Sequence, residues 1–161
     1  MVATIQIIGY KKSGKTAVII ALIKALKKEG FQIGVFKHDH LQATMDQINT
    51  DTDDFSQNGA QTVGLQSEAG LFIHQTPPCP IDPAVIIDGY FKSCNLVILE
   101  GFKAADYPKL VMLRSSDSKD NFDNCTNIIN YASLTAHKAV SLVGIAAIID
   151  WLTNYIKKSG F

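Results

Sequence analysis

The feature that most constrains this chain is the segment IQIIGYKKSGKT at residues 5–16. An apolar run leads into Gly9 and Gly14, which are followed by Lys15 and Thr16 in the spacing G-x-x-x-x-G-K-[ST]. Glycine at the first two positions permits backbone angles that a Cβ atom would forbid, so successive N–H groups can surround a polyphosphate. Lys15 would bring charge to the outer phosphates, and Thr16 would offer an oxygen to Mg²⁺. The pattern predicts a phosphate-binding loop (P-loop).

The residues on both sides of this loop support the prediction. Residues 4–8 are short and β-branched, which is typical of a buried strand, and residues 16–29 have the apolar spacing of an amphipathic helix that Gly30 would end. Such a helix would direct its positive dipole end at the bound anion. A lysine-rich surface turn is the alternative, but it would not require these flanks. The apolar positions of the helix are Val18, Ile19, Leu22, Ile23 and Leu26.

Composition indicates a single soluble domain over residues 1–161. The chain has 15 Lys and Arg against 15 Asp and Glu, so no net charge would attract nucleic acid or an anionic membrane. Cys79, Cys94 and Cys125 are far apart and form no C-x-x-C pair, which favours buried thiols over disulfides or a zinc cluster. The N-terminus has no signal-peptide pattern, and no apolar segment is long enough to span a bilayer. We expect a cytoplasmic protein.

Strand and helix patterns alternate along the rest of the chain. This order predicts an α/β fold of the P-loop NTPase type: a three-layer sandwich with a mostly parallel sheet, helices on both faces and some antiparallel strands. Residues 41–52 are polar and predict a mobile loop. The predicted strands are 31–40, 61–66, 71–75, 95–102, 108–114, 126–132 and 139–144, and the predicted helices are 53–59, 83–93 and 145–158.

A magnesium site beside the P-loop needs a second acidic residue at the end of a neighbouring strand. Glu100, at the end of the apolar run LVILE, and Asp88, in IIDG, are the two candidates. Asp88 lies in the stretch opened by Asp82-Pro83, where a helix is the better prediction. If it were in a strand, too few residues would separate it from the next strand for a parallel crossover. We therefore expect Glu100 to hold Mg²⁺ together with Thr16, unless it only caps the strand end.

Residues 37–40, Lys-His-Asp-His, follow the second predicted strand. His38 and His40 would share one face of the strand. This spacing is compatible with a metal site or with histidines that contact solvent or substrate. The second interpretation is favoured, because the sequence specifies no third metal ligand. Asp39 would point to the other face with Lys37. It is a candidate catalytic residue, facing the terminal phosphate and its attacking water, although a salt bridge to Lys37 explains it equally well.

Four stretches together resemble the family of molybdopterin-guanine dinucleotide biosynthesis protein B. They are GYKKSGKT, VFKHDH, an Asp-rich loop followed by NGA, and LVILEGFKAADYPKLVMLR, in the family's order and over nearly the whole chain. One departure lies in the Asp-rich loop, where the family pattern Asp-x-Pro-Gly-Lys-Asp-[Ser/Thr] is replaced by DQINTDT at residues 46–52. The acids are kept, and the proline, glycine and lysine are lost.

The resemblance implies a homodimer that binds GTP and Mg²⁺, hydrolyses GTP weakly or not at all, and assists a separate nucleotidyltransferase in joining GMP to molybdopterin. Glu100 would be both a magnesium ligand and a catalytic residue. No Asn-Lys-x-Asp segment specifies guanine, so GTP rather than ATP rests on the resemblance alone. The phosphate contacts would be Gly9, Lys12, Ser13, Gly14, Lys15 and Thr16. Candidate contacts for an anionic pterin or nucleotide would be Lys103, Lys109 and Arg114, with a solvated loop as the alternative explanation for the two lysines.

A P-loop kinase or ATPase for small molecules is the alternative function. A kinase is expected to carry an arginine-rich lid that clamps the transferring phosphate, and this chain has a single arginine, Arg114. The sequence therefore favours nucleotide binding or slow hydrolysis over phosphoryl transfer.

Overall fold

The computed structural model describes residues 2–39, 50–76 and 81–160. These residues form two compact units, which are described separately below. The first consists of Met1–His38 and Pro83–Phe161, and the second of Asp39–Asp82. The expectation of one domain over residues 1–161 stays a prediction.

The described part of the first unit is built on a six-stranded sheet in the order β2-β5-β1-β6-β7-β8, and every pair of neighbouring strands is parallel. β1 and β5 have apolar, almost completely buried sequences, as expected for central strands that are covered on both faces. The strands are β1 Ala3–Gly9, β2 Ile33–Lys37, β5 Leu96–Glu100, β6 Lys109–Met112, β7 Ile128–Ser133 and β8 Leu142–Val143.

Helices cover both faces of this sheet. On one face, α1 (Lys15–Lys27) and α4 (Ile145–Lys158) pack against alternate strand residues such as Ile5 and Ile98. On the other face, α3 (Pro83–Tyr90) packs against Val97 and Leu99. A 3-10 helix at Lys119–Phe122 packs on this same face, where Phe122 contacts the cluster that contains Ile8 of β1 and Val111 of β6. The alternation of faces along each strand divides the core into two layers.

The connection from β5 to β6 is unusual. β1 lies between these two parallel strands, so the chain must return from the carboxyl edge of the sheet to its amino edge within residues 101–108. Eight residues of extended chain span about 26 Å, which is enough to cross a five-residue strand without a helix. We call residues 101–108 the crossing segment. Phe102 and Tyr107 pack with the apolar cluster around α3, so the segment lies on that face.

The described part of the second unit contains one helix and one hairpin. α2 (Asp51–Gln57) begins after Thr50, whose hydroxyl accepts a hydrogen bond from the Asp53 amide. β3 (Thr62–Ser67) and β4 (Gly70–Gln75) form an antiparallel pair, in which Leu65 and Leu71 are at least half exposed.

The predicted fold class is confirmed: the main sheet is parallel, helices cover both faces, and an antiparallel pair is present, although as a separate sheet. α3 ends at Tyr90, three residues earlier than the predicted end at 93. Of the predicted loop over residues 41–52, residues 41–49 lie outside the described residues. Thr50 caps α2, and Asp51 and Thr52 are its first two residues, so the loop prediction is wrong for these two. Cys94 and Cys125 are partly buried free thiols, whereas Cys79 lies outside the described residues. Across the described ranges, no helix is long and apolar enough to cross a membrane.

Candidate functional site

The loop between β1 and α1, residues 9–16, has the backbone that its glycines predict; we call it the glycine loop. Gly9 has φ 149° and Gly14 has φ 91°, both in the region that favours glycine. A Cβ atom on Gly9 would lie 2.4 Å from the Met112 carbonyl oxygen, and one on Gly14 would lie 2.3 Å from Leu134 Cδ1. Alanine at either position would therefore displace backbone or core, so the loop shape depends on glycine.

The centre of the loop is exposed and the start of the helix is open to an anion. Lys11 and Lys12 are exposed, and Lys12 has the left-handed φ of 65°. Ser13 is buried, and its Oγ has no hydrogen-bond partner within the part of the chain that the structure describes. Among the described residues no side chain caps α1, and its first turn carries no acidic residue. These uncapped N–H groups and the helix dipole favour a bound phosphate.

Lys15 is the first residue of α1, and its ammonium group lies back over the loop. Its Nζ donates hydrogen bonds to the carbonyl oxygens of Gly9 (3.2 Å) and Tyr10 (3.0 Å). Burial lowers the pKa of Lys15; nearby Glu100 opposes this shift, while Lys103 and Lys37 add to it. The structure thus brings Lys15, Glu100 and two further lysines to one site, where the surplus positive charge favours a polyanion.

Glu100 is the last residue of β5 and is held between two strands. It is in register with Ile7 of β1 and Lys37 of β2, at the carboxyl edge of the sheet where the glycine loop also begins. Asp88 lies in α3 and lines a cavity of about 810 Å³ with Val2 and Asn95, at the opposite ends of the strands. The helical prediction for residues around Asp88 is correct, and Glu100 is the acid beside the glycine loop.

The residues of this site fit a magnesium–nucleotide ligand. Thr16 is exposed at the start of α1, and Glu100 is half-buried close to the Lys15 ammonium. A hydroxyl and a carboxylate are oxygen donors of the kind Mg²⁺ takes, with substrate phosphates as further ligands. Among residues 2–39, 50–76 and 81–160, no group of three His, Cys, Asp or Glu side chains forms a metal cage. A metal here would therefore depend on ligand oxygens.

The histidine segment lies next to this site on the first unit. The His38 amide donates to the Glu100 carbonyl (2.9 Å), and its ring lies 4.8 Å from the ring of Phe102. His40 lies outside the described residues. Asp39 is exposed and begins the second unit, so its proposed role toward the terminal phosphate stays a prediction.

Arg114 has an ion-pair partner, because its guanidinium group is bound to Asp117. The guanidinium donates to both carboxylate oxygens of Asp117, with Nη2 at 2.7 Å from Oδ1, and the Arg114 amide also donates to Oδ2 at 2.9 Å. Hydrogen bonding to Arg114 lowers the pKa of the buried Asp117. The same guanidinium carbon lies 5.0 Å from the centre of the Tyr10 ring. The Arg114 side chain is paired with Asp117 but stays 42% exposed, so its role as a ligand contact stays a prediction.

Lys109 requires a correction, because it is buried rather than standing free beside the glycine loop. Its relative exposure is 0%. Its Nζ donates to the carbonyl oxygens of Ala105 and Tyr107, the latter at 3.1 Å. Burial lowers the pKa of Lys109, and Asp106 partly offsets the effect. Lys103 lies against the glycine loop, with its Nζ 4.4 Å from the centre of the Tyr10 ring, and its role as a ligand contact stays a prediction.

Two residues of this region were missed by the sequence reasoning. Gln6 is fully buried in β1, and its Nε2 donates to the carbonyl oxygens of Gly101 (2.6 Å) and Phe102. Tyr10, inside the glycine loop, lies between Lys103 and Arg114 and packs on Phe122 at 5.3 Å between ring centres. A polar side chain in the middle of an apolar strand was the available signal for Gln6.

The strand order, the glycine loop after β1 and the acid at the end of β5 define an α/β protein of P-loop-like fold. A family model described as "Molybdopterin guanine dinucleotide synthesis protein B" matches residues 4–134. Because that match covers most of the chain, the chain belongs to the MobB family.

Individual relatives agree with this assignment. A Methanocaldococcus jannaschii protein is 33% identical over 129 residues, which cover 78% of this chain and 53% of that protein. A Bacillus subtilis protein is 32% identical over 117 residues, which cover 70% of this chain and 66% of that one. A Haemophilus influenzae protein, 28% identical over 114 residues (70% of this chain and 64% of that one), is named molybdopterin-guanine dinucleotide biosynthesis adapter protein, and the same words stand in the names of the other two. This chain therefore spans about half of the first relative and close to two thirds of the others.

Solved structures show the same fold. A crystal structure of a MobB protein homolog from Bacillus stearothermophilus has a TM-score of 0.73 at 24% identity and covers 96% of this chain and 98% of its own. A crystal structure of molybdopterin-guanine biosynthesis protein B has a TM-score of 0.75 at 20% identity, with 94% and 99% coverage. At these identities the likeness concerns the fold alone.

Proposed function

We propose that this chain is a GTP-binding adapter in molybdenum cofactor biosynthesis, which assists a nucleotidyltransferase in joining GMP to molybdopterin. The observation that carries the proposal is the glycine loop, whose positive-φ glycines and uncapped helix start lie beside Lys15 and Glu100. The family match and the names of the relatives support the pathway, and the guanine base follows from the family resemblance.

On this proposal the phosphates are held by the glycine loop and the metal by two oxygen donors. The backbone of residues 9–14 and the Lys15 ammonium would neutralise the phosphates, while Thr16 and Glu100 would hold Mg²⁺. The bound metal would offset charge on the phosphate oxygens. Asp39 would orient water if hydrolysis occurs. We propose at most weak hydrolysis, because the single arginine is paired with Asp117 and no second one can stabilise a transferring phosphoryl group.

The same pairing argues against the small-molecule kinase or ATPase. Phosphoryl transfer at useful rates needs cations that reach the transferring group, and an arginine in that position contributes 10³–10⁵-fold. Arg114 is instead bonded through its side chain and its backbone to one carboxylate. Binding and presentation of a nucleotide require no such group.

The homodimer that the resemblance implies is also a proposal. Its support is the hairpin of the second unit, a two-stranded sheet in the described residues, which leaves Leu71 69% and Ile73 44% exposed. A two-stranded sheet with apolar exposed residues is marginal by itself. Light scattering should give about twice the 17.6 kDa chain mass, and Leu71→Glu should shift the protein toward monomer. A monomeric parent protein would end this part of the proposal.

The decisive experiment for the proposed function is a thermal-shift series with GTP, ATP and GDP, each with and without Mg²⁺. A ligand that binds only the folded state adds about 2.7 kcal/mol of stability at a hundredfold excess over its dissociation constant. We expect Mg²⁺–GTP to raise the melting midpoint more than Mg²⁺–ATP. Equal shifts would remove the guanine preference, and no shift with any nucleotide would overturn nucleotide binding.

A further inference from the structure

The crossing segment raises a problem of hydrogen bonding. Residues 101–108 run over a sheet face without forming helix or strand, so their carbonyl groups lack the regular partners of a helix or a sheet. Backbone amides still reach two of them, since the Ala105 amide donates to the Phe102 carbonyl and the Gln6 amide donates to the Pro108 carbonyl. A buried backbone carbonyl must find a donor, because leaving it unpaired is costly. Irregular segments normally avoid the problem by staying at the surface in contact with water.

Two buried side chains provide further donors to the carbonyl groups of this segment. Gln6 on β1 and Lys109 on β6 are aligned as register partners on neighbouring strands, and both have a relative exposure of 0%. Each donates from its terminal nitrogen to two carbonyl groups. The four carbonyl groups are those of Gly101, Phe102, Ala105 and Tyr107. The crossing segment is therefore attached near both of its ends.

Core packing does not explain these two polar residues. Removing an ammonium group from water is unfavourable, and burial accordingly lowers the pKa of Lys109. The Oε1 atom of Gln6 is buried with no hydrogen-bond partner among the described residues. Leucine or methionine would fill either space without this cost. What they could not do is donate hydrogen bonds to the crossing segment.

The crossing segment carries Lys103 to the glycine loop. Gly101 and Phe102 both have left-handed φ angles, 87° and 53°, so the chain turns sharply directly after Glu100. After this turn the Lys103 ammonium lies 4.4 Å from the centre of the ring of Tyr10, which is a residue of the glycine loop. The position of Lys103 thus depends on a turn whose two carbonyl groups are both held by Gln6.

We propose that Gln6 and Lys109 are positioning residues, which hold the crossing segment so that Lys103 stands against Tyr10 and meets the second, anionic ligand of the adapter. The inference rests on the proposed function in assigning that ligand contact to Lys103. Lys109 then serves the site through Lys103 and not by contacting a ligand itself. Removing the Lys109 ammonium should therefore impair the adapter in the same way as removing the Lys103 ammonium.

The experiment compares Lys109→Met and Gln6→Met with Thr4→Val. Both methionine variants keep an unbranched side chain of similar length and remove the donors. Thr4 is the matched control, because it is buried in the same strand and its hydroxyl, among the described residues, bonds only to the Val2 carbonyl. We expect amide hydrogen exchange in residues 101–107 to become at least tenfold faster in the methionine variants and to stay within twofold of the parent in Thr4→Val.

The functional readout is a double-mutant cycle with Lys103→Ala. GTP affinity should stay within threefold of the parent in Gln6→Met, Lys109→Met and Thr4→Val, which leave Lys15 and the glycine loop unchanged. Stimulation of molybdopterin-guanine dinucleotide formation, assayed with the transferase, molybdenum-loaded pterin and Mg²⁺–GTP, should fall as far in Lys109→Met as in Lys103→Ala. The double variant should show no additional loss, since both changes remove one interaction.

The outcomes separate this inference from the proposed function. Unchanged exchange in both methionine variants overturns it, as does additive loss in the double variant. If Lys109→Met does not fold, Gln6→Met decides the same question. If Lys103→Ala stimulates like the parent, the assigned role of Lys103 is wrong, and the exchange data still decide whether Gln6 and Lys109 hold the segment.

Discussion

The glycine loop and the crossing segment are two loops that follow neighbouring parallel strands, β1 and β5, at the same edge of the sheet. Both contain residues with left-handed φ angles, and both bring lysine toward the same space. They differ in what determines their shape. The glycine loop is shaped by its own residues, since a Cβ on Gly9 or Gly14 would collide with its surroundings. The crossing segment is held by side chains from other strands, Gln6 and Lys109.

This difference implies different responses to substitution. In the glycine loop the side chains that reach the ligand can be removed with little effect on the backbone, because the shape is local. In the crossing segment the loop shape itself depends on remote donors, so changes far from the ligand should alter the site.

Lys15→Ala should abolish detectable nucleotide binding and leave the fold intact. Lys15 hydrogen-bonds only to carbonyl oxygens of its own loop among the described contacts, and its side chain is not part of the core. Losing a charge that pairs with phosphate should cost about 2–5 kcal/mol, which is at least thirtyfold in affinity. Titration calorimetry with Mg²⁺–GTP measures the loss, and Lys24→Ala on the exposed side of α1 is the control. Retained affinity in Lys15→Ala would contradict the phosphate site.

Glu100→Gln should weaken Mg²⁺–GTP binding about tenfold or more and leave metal-free GTP binding nearly unchanged. The amide keeps the shape of the side chain and removes the charge that a magnesium ion needs. Its position between β1 and β2 should hold the residue in place. Affinities measured with Mg²⁺ and with EDTA provide the ratio. An equal loss under both conditions would transfer the metal role to Asp39.

How far the sequence predicted this molecule follows from the same contrast. The glycine loop, β1 and α1 were predicted because spacing and periodicity are local signals, and Glu100 followed from its position after an apolar strand. The burial of Lys109 could not be predicted, because its partners are carbonyl groups of an irregular segment whose path depends on the strand order. Asp117 lies three residues after Arg114, but only the observed turn brings the two together. Residues 61–66 and 71–75 were predicted only as two strands, and the sequence does not indicate that they pair with each other in a sheet of their own.

Lys103→Ala should leave GTP affinity within a few-fold of the parent and reduce stimulation of the transferase by about fivefold, as expected for one partly exposed ion pair. The change keeps Gln6 and Lys109, so the crossing segment should keep its path. The matched control is Lys138→Ala, an exposed lysine on the first unit outside this cluster. If both variants stimulate equally well, Lys103 is only a surface charge and the ligand or partner contact lies elsewhere.

Asp117→Asn should have the smallest effect on the site. The Asp117–Arg114 pair touches the glycine loop only indirectly, through the contact of the Arg114 guanidinium with the Tyr10 ring. GTP affinity should stay within twofold of the parent, whereas the free energy of unfolding at pH 7 should fall. Hydrogen bonding and the charge of Arg114, with a smaller contribution from His137, lower the pKa of Asp117 in the folded protein below its ordinary value of 3.8. The stabilisation from this carboxylate is therefore complete above pH 3.8 and is lost as the pH falls through the lowered folded-state pKa. Urea unfolding of parent and variant from pH 7 downward should show the two stabilities converging below pH 3.8. A difference in stability that persists unchanged to the lowest pH would show that the variant acts through packing. A large loss of GTP affinity would instead support Arg114 as a ligand contact.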